Sequence, residues 1–142
     1  MTLDREQLFA RIGGEAGVRR LVDRFYDLME TLPEARELRA IHPPALDGSR
    51  DKLSWFLVGW MGGPPRYVER FGHPRLRARH LPFAIAARER DQWLRCMDQA
   101  LAEQLGGDEE LRGYLRAALA QLADHMRNRP EPDSEPGPEA EG

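Results

Sequence analysis

Apolar residues recur at steps of three and four along most of the chain, which is the spacing of one face of an α-helix. The clearest case is residues 15–31, whose apolar face consists of Val18, Leu21, Val22, Phe25, Tyr26 and Met29. The same period predicts three further long helices, at 48–61, 88–105 and 108–128. No stretch alternates with period two for long enough to make a convincing strand. The pattern therefore predicts an all-α protein.

Glycine and proline separate these helices. The breaks fall at Gly13–Gly14, Pro43–Pro44, Gly62–Gly63–Pro64–Pro65 and Gly106–Gly107. At Gly13–Gly14 we expect a left-handed helix end, which glycine adopts at little cost. Shorter helical pieces are predicted before Gly13, at 34–40 and at 74–80, and a short turn or helix is predicted at 66–71. Asp47 or Ser49 is expected to cap the helix at 48–61 by accepting a hydrogen bond from its first turn.

The segment GHPRLRARHLPF, residues 72–83, combines three arginines and two histidines with apolar residues. Pro74 suits the first position of a helix, and Pro82 forces the residue before it out of helical geometry. On this short helix His80 shares a face with Leu76, while Arg77 and Arg79 flank that face. An imidazole and a leucine with guanidinium groups at the rim would suit a flat apolar ligand with anionic edges. Haem is such a ligand, and its iron takes an axial imidazole whose other nitrogen needs an acceptor, here expected to be a backbone carbonyl at the helix end.

Length and composition indicate one folded domain with a tail. The chain has 142 residues, of which 41% are hydrophobic and 32% charged. That length is enough for a single core, which we assign to residues 1–128. The last 14 residues, RPEPDSEPGPEAEG, hold five acids and one arginine, a net charge of −4. They contain no apolar residue larger than alanine, so residues 129–142 are predicted to be a disordered acidic tail rich in Pro and Glu.

Net charge and cysteine content indicate the class of partner and the cellular compartment of the protein. The whole chain has a net charge of −3, which leaves about +1 for residues 1–128. This balance argues against a general nucleic-acid binder. Cys96 is the only cysteine, so an internal disulfide is excluded and a reducing compartment is expected. With no signal peptide and no apolar run long enough to span a membrane, the sequence predicts a soluble cytoplasmic protein without membrane partners.

The chain resembles the truncated haemoglobins, most closely their second group. The resemblance covers about residues 6–128 and rests on motifs in chain order: Gly13–Gly14, Phe25–Tyr26, Gly62–Gly63–Pro64, GHPRLRARHLPF and ERDQWLRCM at 89–97. It implies a two-over-two helical sandwich around haem b, iron protoporphyrin IX. The helices at 15–31 and 48–61 would form one pair, and those at 88–105 and 108–128 the other.

The resemblance also implies roles for individual residues. His80 matches the proximal histidine that binds the iron. Tyr26 and Trp93 match distal residues that hydrogen-bond the bound ligand, and His42 stands where the family often has Tyr or Phe. Leu53 matches an apolar distal wall residue and Ser49 a gate position. Lys52 and Arg79 match positions that pair with the propionates. The remaining positions expected to contact the cofactor are Phe56, Leu57, Tyr67, Leu76, Phe83, Ile85 and Met97.

A distal pocket with three donors, Tyr26, Trp93 and His42, predicts slow release of dioxygen. Carbon monoxide and nitric oxide are the other expected ligands. Slow release suits redox chemistry or ligand capture better than oxygen transport, so nitric oxide dioxygenase or peroxidase activity with an electron-donor reductase stays open. A titratable His42 would assist such acid–base chemistry. The choice between monomer and homodimer also stays open.

Two other interpretations compete with the haem protein. The first is a cofactor-free all-α binding module that presents an arginine-rich face to an acidic partner, with Arg66, Arg70, Arg75, Arg77 and Arg79. The second is a metal site made by His73 and His80. Seven residues apart on a helix, those rings lie about 10 Å apart along the axis, too far for one ion. His73 is therefore expected to cap a helix or lie on the surface, His125 to be structural or exposed, and Cys96 to pack in the core.

Overall fold

A computed structural model of the chain describes residues 5–128, and within that range it contains helices and no strand. The prediction of an all-α protein is confirmed. The helices are α1 (Arg5–Ile12), α2 (Gly14–Thr31), α3 (Arg36–Ala40), α4 (Asp47–Trp60), α5 (Arg66–Phe71), α6 (Leu76–His80), α7 (Ala87–Gln104) and α8 (Glu109–His125). A 3₁₀ turn, Pro33–Ala35, precedes α3. The predicted tail, 129–142, lies outside the described residues.

The four long helices pack as two pairs. Helix α2 packs along α4, α7 packs along α8, and α2 also crosses α7. The apolar stripe predicted for α2 is the face that these contacts bury, and Val18, Leu21, Val22 and Phe25 have no exposed surface at all. Burying such a side chain contributes about 1.5–3 kcal/mol each, which is why the stripe determines how the helices pack. The arrangement is the two-over-two sandwich that the sequence predicted.

The start of α4 differs from the prediction. Helix α4 begins at Asp47, and neither Asp47 nor Ser49 caps it, because Leu46 occupies the capping position and makes no side-chain bond. A side-chain cap occurs at α8, where Asp108 Oδ1 accepts a hydrogen bond from the Leu111 N–H at 3.2 Å. At the break between α1 and α2, Gly13 adopts a φ of 104°, so the predicted left-handed conformation is confirmed.

Helix α6 is shorter than predicted and starts two residues after Pro74. Arg75 adopts a left-handed conformation, φ 45° and ψ 53°, directly before the helix. The ring of His73 accepts a hydrogen bond from the Arg75 N–H at 3.0 Å, which holds this turn. A left-handed arginine costs about 1–2 kcal/mol. The helix therefore begins at Leu76 rather than at Pro74.

Gly17 is the site where α1 and α2 approach most closely, and it gives a stability prediction. A Cβ atom at Gly17 would lie 1.8 Å from the carbonyl oxygen of Ile12. Gly17→Ala should therefore lower the free energy of unfolding by about 1–3 kcal/mol or more, as overpacking does. Gly113, within α8, is the matched control because a Cβ atom there meets nothing within 4 Å. Gly113→Ala should raise stability by about 0.5–1 kcal/mol. Urea denaturation measures both, and a loss at Gly113 equal to that at Gly17 would contradict the account of the contact.

Candidate functional site

Exposed apolar side chains concentrate around the segment that carries His80. Five large hydrophobic residues are exposed within the described part of the chain, and four of them are Val68, Phe71, Leu81 and Phe83. These four belong to α5 or to the loop after α6, on either side of His80 in the chain. Exposed apolar side chains that group along one stretch of the chain point to a binding surface rather than to ordinary surface scatter. We call these four residues the α5–α6 apolar patch.

His80 is oriented by its own helix. Its ring is half-buried, and Nδ1 lies 2.6 Å from the carbonyl oxygen of Leu76, one turn earlier. Because a carbonyl can only accept, Nδ1 carries a proton, and in the neutral ring Nε2 then keeps its lone pair. This is the form of imidazole that binds a metal through Nε2. The acceptor is a backbone carbonyl, as predicted, but it belongs to the first residue of α6 and not to the helix end.

Tyr26 and Trp93 are brought together by Phe25. The Phe25 ring is fully buried, with its centroid 4.9 Å from that of Tyr26 and 5.1 Å from that of Trp93. The Tyr26 ring also meets the His42 ring edge-on at 5.9 Å. Helices α2 and α7 and the end of α3 therefore bring all three predicted distal residues to one place.

Tyr26 keeps its hydroxyl proton. Burial raises the pKa of Tyr26 above its usual value, and the charge of Arg50 opposes this only in part. Neither the Tyr26 hydroxyl nor the Trp93 indole N–H makes a hydrogen bond to any residue between 5 and 128. Both are therefore donors available to a ligand in this part of the fold.

The hydrogen bond of His42 limits when its ring can act as a donor. Its Nδ1 lies 2.9 Å from the carbonyl oxygen of Leu38, so the proton is on Nδ1 and the neutral ring offers an acceptor at Nε2. Burial lowers the pKa of His42, as do the charges of Arg39 and His80, against the raising effect of the bond to Leu38. The ring is therefore neutral at physiological pH. Donation by His42 to a ligand requires the protonated ring, and Tyr26 and Trp93 are the donors otherwise.

The His42 pKa predicts how stability depends on pH. In the unfolded chain the ring takes a proton near pH 6.5, whereas the folded state holds that pKa lower. As pH falls below about 6.5, the unfolded state binds more protons and the free energy of unfolding decreases. The decrease between about pH 7.5 and 5.5 should be smaller in His42→Phe than in the wild type, measured by urea denaturation. Equal decreases in the two proteins would contradict this assignment.

Two cations converge on the apolar patch from different helices. Lys52, on α4, places Nζ 5.9 Å from the centre of the Phe71 ring. Arg79, on α6, places Nη2 3.5 Å from the Phe71 carbonyl oxygen and its guanidinium carbon 5.8 Å from the centre of the Tyr67 ring. Neither cation forms an ion pair with a carboxylate among the described residues. Both are free to meet an anionic group at the edge of the patch.

The other predicted pocket residues differ in depth. Leu57 and Met97 are completely buried in the main core, whereas Leu53 and Phe56 are partly buried against it. Tyr67 and Ile85 are also buried, at 9% and 8% exposure. Ser49 and Leu76 are half-buried, while Phe83 is 43% exposed and belongs to the apolar patch. A cavity of about 420 Å³ lies between α6 and the end of α8, with Phe56 and Leu76 in its wall.

Arg50 is a site residue that the sequence reasoning missed. Its guanidinium donates to the Asp23 carbonyl oxygen at 2.9 Å and to Asp27 Oδ1 at 2.8 Å. Its carbon lies 5.8 Å from the centre of the Tyr26 ring. Arg50 thus fixes α4 to the turn of α2 that carries Tyr26. No local pattern marks it, because its partners lie more than twenty residues away in the chain.

The arginines of the competing binding-module interpretation are mostly engaged within the chain. Arg66 forms an ion pair with Glu15 at 2.8 Å, and Arg70 stacks over the Trp55 ring at 4.1 Å. Arg77 donates to two backbone carbonyls at the end of α8. These contacts use three of the five guanidinium groups for internal structure.

The remaining candidate residues are structural or exposed. His73 holds the turn before α6, as expected of a cap, and His125 is exposed. Cys96 is fully buried, and burial raises the pKa of its thiol to about 11.

Between residues 5 and 128, no three His, Cys, Asp or Glu side chains gather closely enough to hold a metal ion. In the same range, no helix is both long enough and apolar enough to cross a membrane.

The two helix pairs, with His80 on α6 and the donors Tyr26 and Trp93 on α2 and α7, have the arrangement of a two-over-two globin. The sequence model of the family described as bacterial-like globin matches residues 7–128. The chain belongs to this family and, within it, to the group II truncated haemoglobins. Membership implies haem binding and the binding of diatomic gases such as oxygen.

Three relatives show the extent of the similarity. The group 2 truncated hemoglobin YjbI of Bacillus subtilis (strain 168) is 42% identical over 118 residues, which are 83% of this chain and 86% of that protein. The solved group II 2-on-2 hemoglobin from Agrobacterium tumefaciens is 49% identical, with a TM-score of 0.83 over 87% of this chain and 95% of the other. The structure of a truncated oxygen-avid haemoglobin from Bacillus subtilis is 40% identical, with a TM-score of 0.77 over 85% of this chain and 98% of the other.

Proposed function

We propose that this chain binds haem b through His80, binds dioxygen and other diatomic ligands on the opposite side of the cofactor, and releases them slowly. The observation that carries the proposal is the His80 ring. Its Nδ1–H is committed to the Leu76 carbonyl, and its Nε2 is left free beside an exposed apolar patch. A structural histidine would not need such a patch, whereas a porphyrin would cover it.

The residues around His80 fit a porphyrin with two carboxylates. The α5–α6 apolar patch supplies walls for the flat ring, and the half-buried Leu76 adds to them. Lys52 and Arg79 supply cations at one edge, where the propionates would lie. When bound, haem supplies an iron with one open coordination position for a diatomic ligand.

The distal residues would then determine how long a ligand stays. Bound dioxygen carries negative charge, and the Tyr26 hydroxyl and Trp93 indole can each donate a hydrogen bond to it. Such bonds contribute about 1.5–3 kcal/mol, or roughly a ten- to hundred-fold change in affinity. The Tyr26 hydroxyl has a single proton, so the neutral His42, which can only accept through Nε2, leaves that proton for the ligand when one is bound. The description of one relative as oxygen-avid supports slow release.

The same pocket suits redox chemistry on nitric oxide or peroxide. The protonated form of His42 can deliver a proton to a bound ligand, and Tyr26 and Trp93 can stabilise developing charge. Turnover of this kind requires electrons, so the proposal includes a reductase as partner. A protein that releases dioxygen slowly is less suited to oxygen transport.

Addition of hemin to the purified protein tests the proposal. The wild type should take up one equivalent and become red, with a strong Soret band. After reduction, the band should shift separately with dioxygen, carbon monoxide and nitric oxide. The proposal would be overturned if the protein stayed colourless after hemin was added. It would also be overturned if the absorption spectrum of the haem complex did not change with any of the three gases.

A further inference from the structure

Packing against the core does not hold the helix that carries His80. Helix α6 has only five residues, and none of them is buried. A helix of this length is unstable on its own in water. The four residues after it, 81–84, are all exposed as well. Something other than apolar packing must therefore fix the His80 backbone.

Polar contacts from the end of α8 hold this segment at both ends. The side-chain amide of Asn128 donates from Nδ2 to the His80 carbonyl oxygen at 3.0 Å, and the same oxygen accepts the Phe83 N–H at 3.0 Å. Its Oδ1 accepts the Ile85 N–H at 3.0 Å, and the Asn128 N–H donates to the Ile85 carbonyl oxygen at 2.8 Å. Asn128 thus closes the loop between His80 and Ile85, which are the last residue of α6 and the first buried residue after it.

Arg77 makes the reciprocal contact from α6. Its Nη1 donates to the His125 carbonyl oxygen at 2.8 Å and to the Arg127 carbonyl oxygen at 2.9 Å. These carbonyls belong to the end of α8, where a cation and a donor are both favourable. With Asn128, the contact ties α6 to α8 in both directions.

We infer that Asn128 is a positioning residue for His80: by holding the His80 carbonyl and closing the 80–85 loop, it fixes the orientation of the imidazole toward the haem iron. This inference rests on the proposed function. The position requires a side chain of this length that both donates and accepts, which an amide provides and a carboxylate does not. Asn128 is the only asparagine in the chain.

Asn128→Asp separates the two side-chain bonds. The carboxylate keeps the acceptor for the Ile85 N–H and loses the donor to the His80 carbonyl. In the reduced haem-loaded protein we expect the iron–histidine stretching band, measured by resonance Raman spectroscopy, to shift or broaden. The rate of hemin loss to an excess of apomyoglobin should rise about two- to ten-fold, the effect of one hydrogen bond. Asn128→Ala, which loses both bonds, should change the band and the rate further.

Gln104→Glu is the matched control. Gln104 Nε2 also donates to a backbone carbonyl, that of Gly17, at 2.8 Å. Its replacement removes an amide-to-carbonyl bond of the same kind at a distance from His80. Gln104→Glu should lower stability without changing the iron–histidine band.

A measurement on the haem-free protein checks the loop itself. Hydrogen exchange of the Ile85 amide should stay slow in Asn128→Asp and become fast in Asn128→Ala. An iron–histidine band and a rate of hemin loss that match the wild type in both Asn128 variants would overturn the inference. A wild type that takes up no hemin would instead overturn the proposed function, so the two failures are distinguishable.

Discussion

His80→Gly should lose normal haem ligation, with a fall in hemin affinity of more than about a hundred-fold. That estimate is a lower bound, because changes to residues that only support a metal ligand already cost about ten- to a hundred-fold. His80 is the one half-buried ring beside the α5–α6 apolar patch whose Nδ1–H is bound to its own helix, leaving Nε2 free. Hemin titration followed by the Soret band measures the loss.

Added imidazole tests whether the loss reflects ligation. Glycine at position 80 leaves room for a free imidazole, which should restore the ferrous spectrum toward that of the wild type. His125→Gly is the control, because His125 is exposed and its ring makes no hydrogen bond within the described residues. An unchanged spectrum in His80→Gly would show that another residue binds the iron.

Tyr26→Phe and Trp93→Phe should each speed dioxygen release by about ten- to a hundred-fold. Each variant removes one charge-assisted donor, and each such bond contributes about 1.5–3 kcal/mol. Tyr26→Phe keeps the ring that lies 4.9 Å from the Phe25 ring, whereas Trp93→Phe also replaces the indole, 5.1 Å from Phe25, by a smaller ring, a truncation that Trp60→Phe reproduces elsewhere. Stopped-flow displacement of dioxygen by carbon monoxide gives the rates.

The double variant and two controls sharpen this result. Since both donors pack on Phe25, their effects should be coupled, and the double variant should depart from the product of the single effects. Tyr114→Phe and Trp60→Phe make the same chemical changes at an exposed residue and at a partly buried core residue. The assigned roles would be contradicted if the two control variants released dioxygen as fast as the distal variants, or if the distal variants released it at the wild-type rate.

Much of the fold could be predicted because it depends on patterns within single helices. The apolar stripe of α2 and the glycine break before it are visible in sequence, and both occur as predicted. That the His80 ring bonds a backbone carbonyl was also accessible, because Leu76 lies one turn before it on the same face. In each case the partners are close in the chain.

The differences from the prediction have two sources: local backbone and ring geometry, and contacts between distant segments. The start of α6 depends on a left-handed Arg75, a conformation that sequence propensity disfavours. The acceptor role of His42 depends on which ring nitrogen meets the Leu38 carbonyl. Arg50 and Asn128 bond to partners 23 to 48 residues away, so no periodic pattern reveals them.

A crystal structure of the protein loaded with haem, with an anomalous map at the iron edge, tests the site most directly. We expect the iron peak within coordination-bond distance of His80 Nε2, with Tyr26 and Trp93 on the opposite side of the ring. A haem ligated by another side chain, or a His80 ring that points to solvent while haem is bound elsewhere, would contradict it.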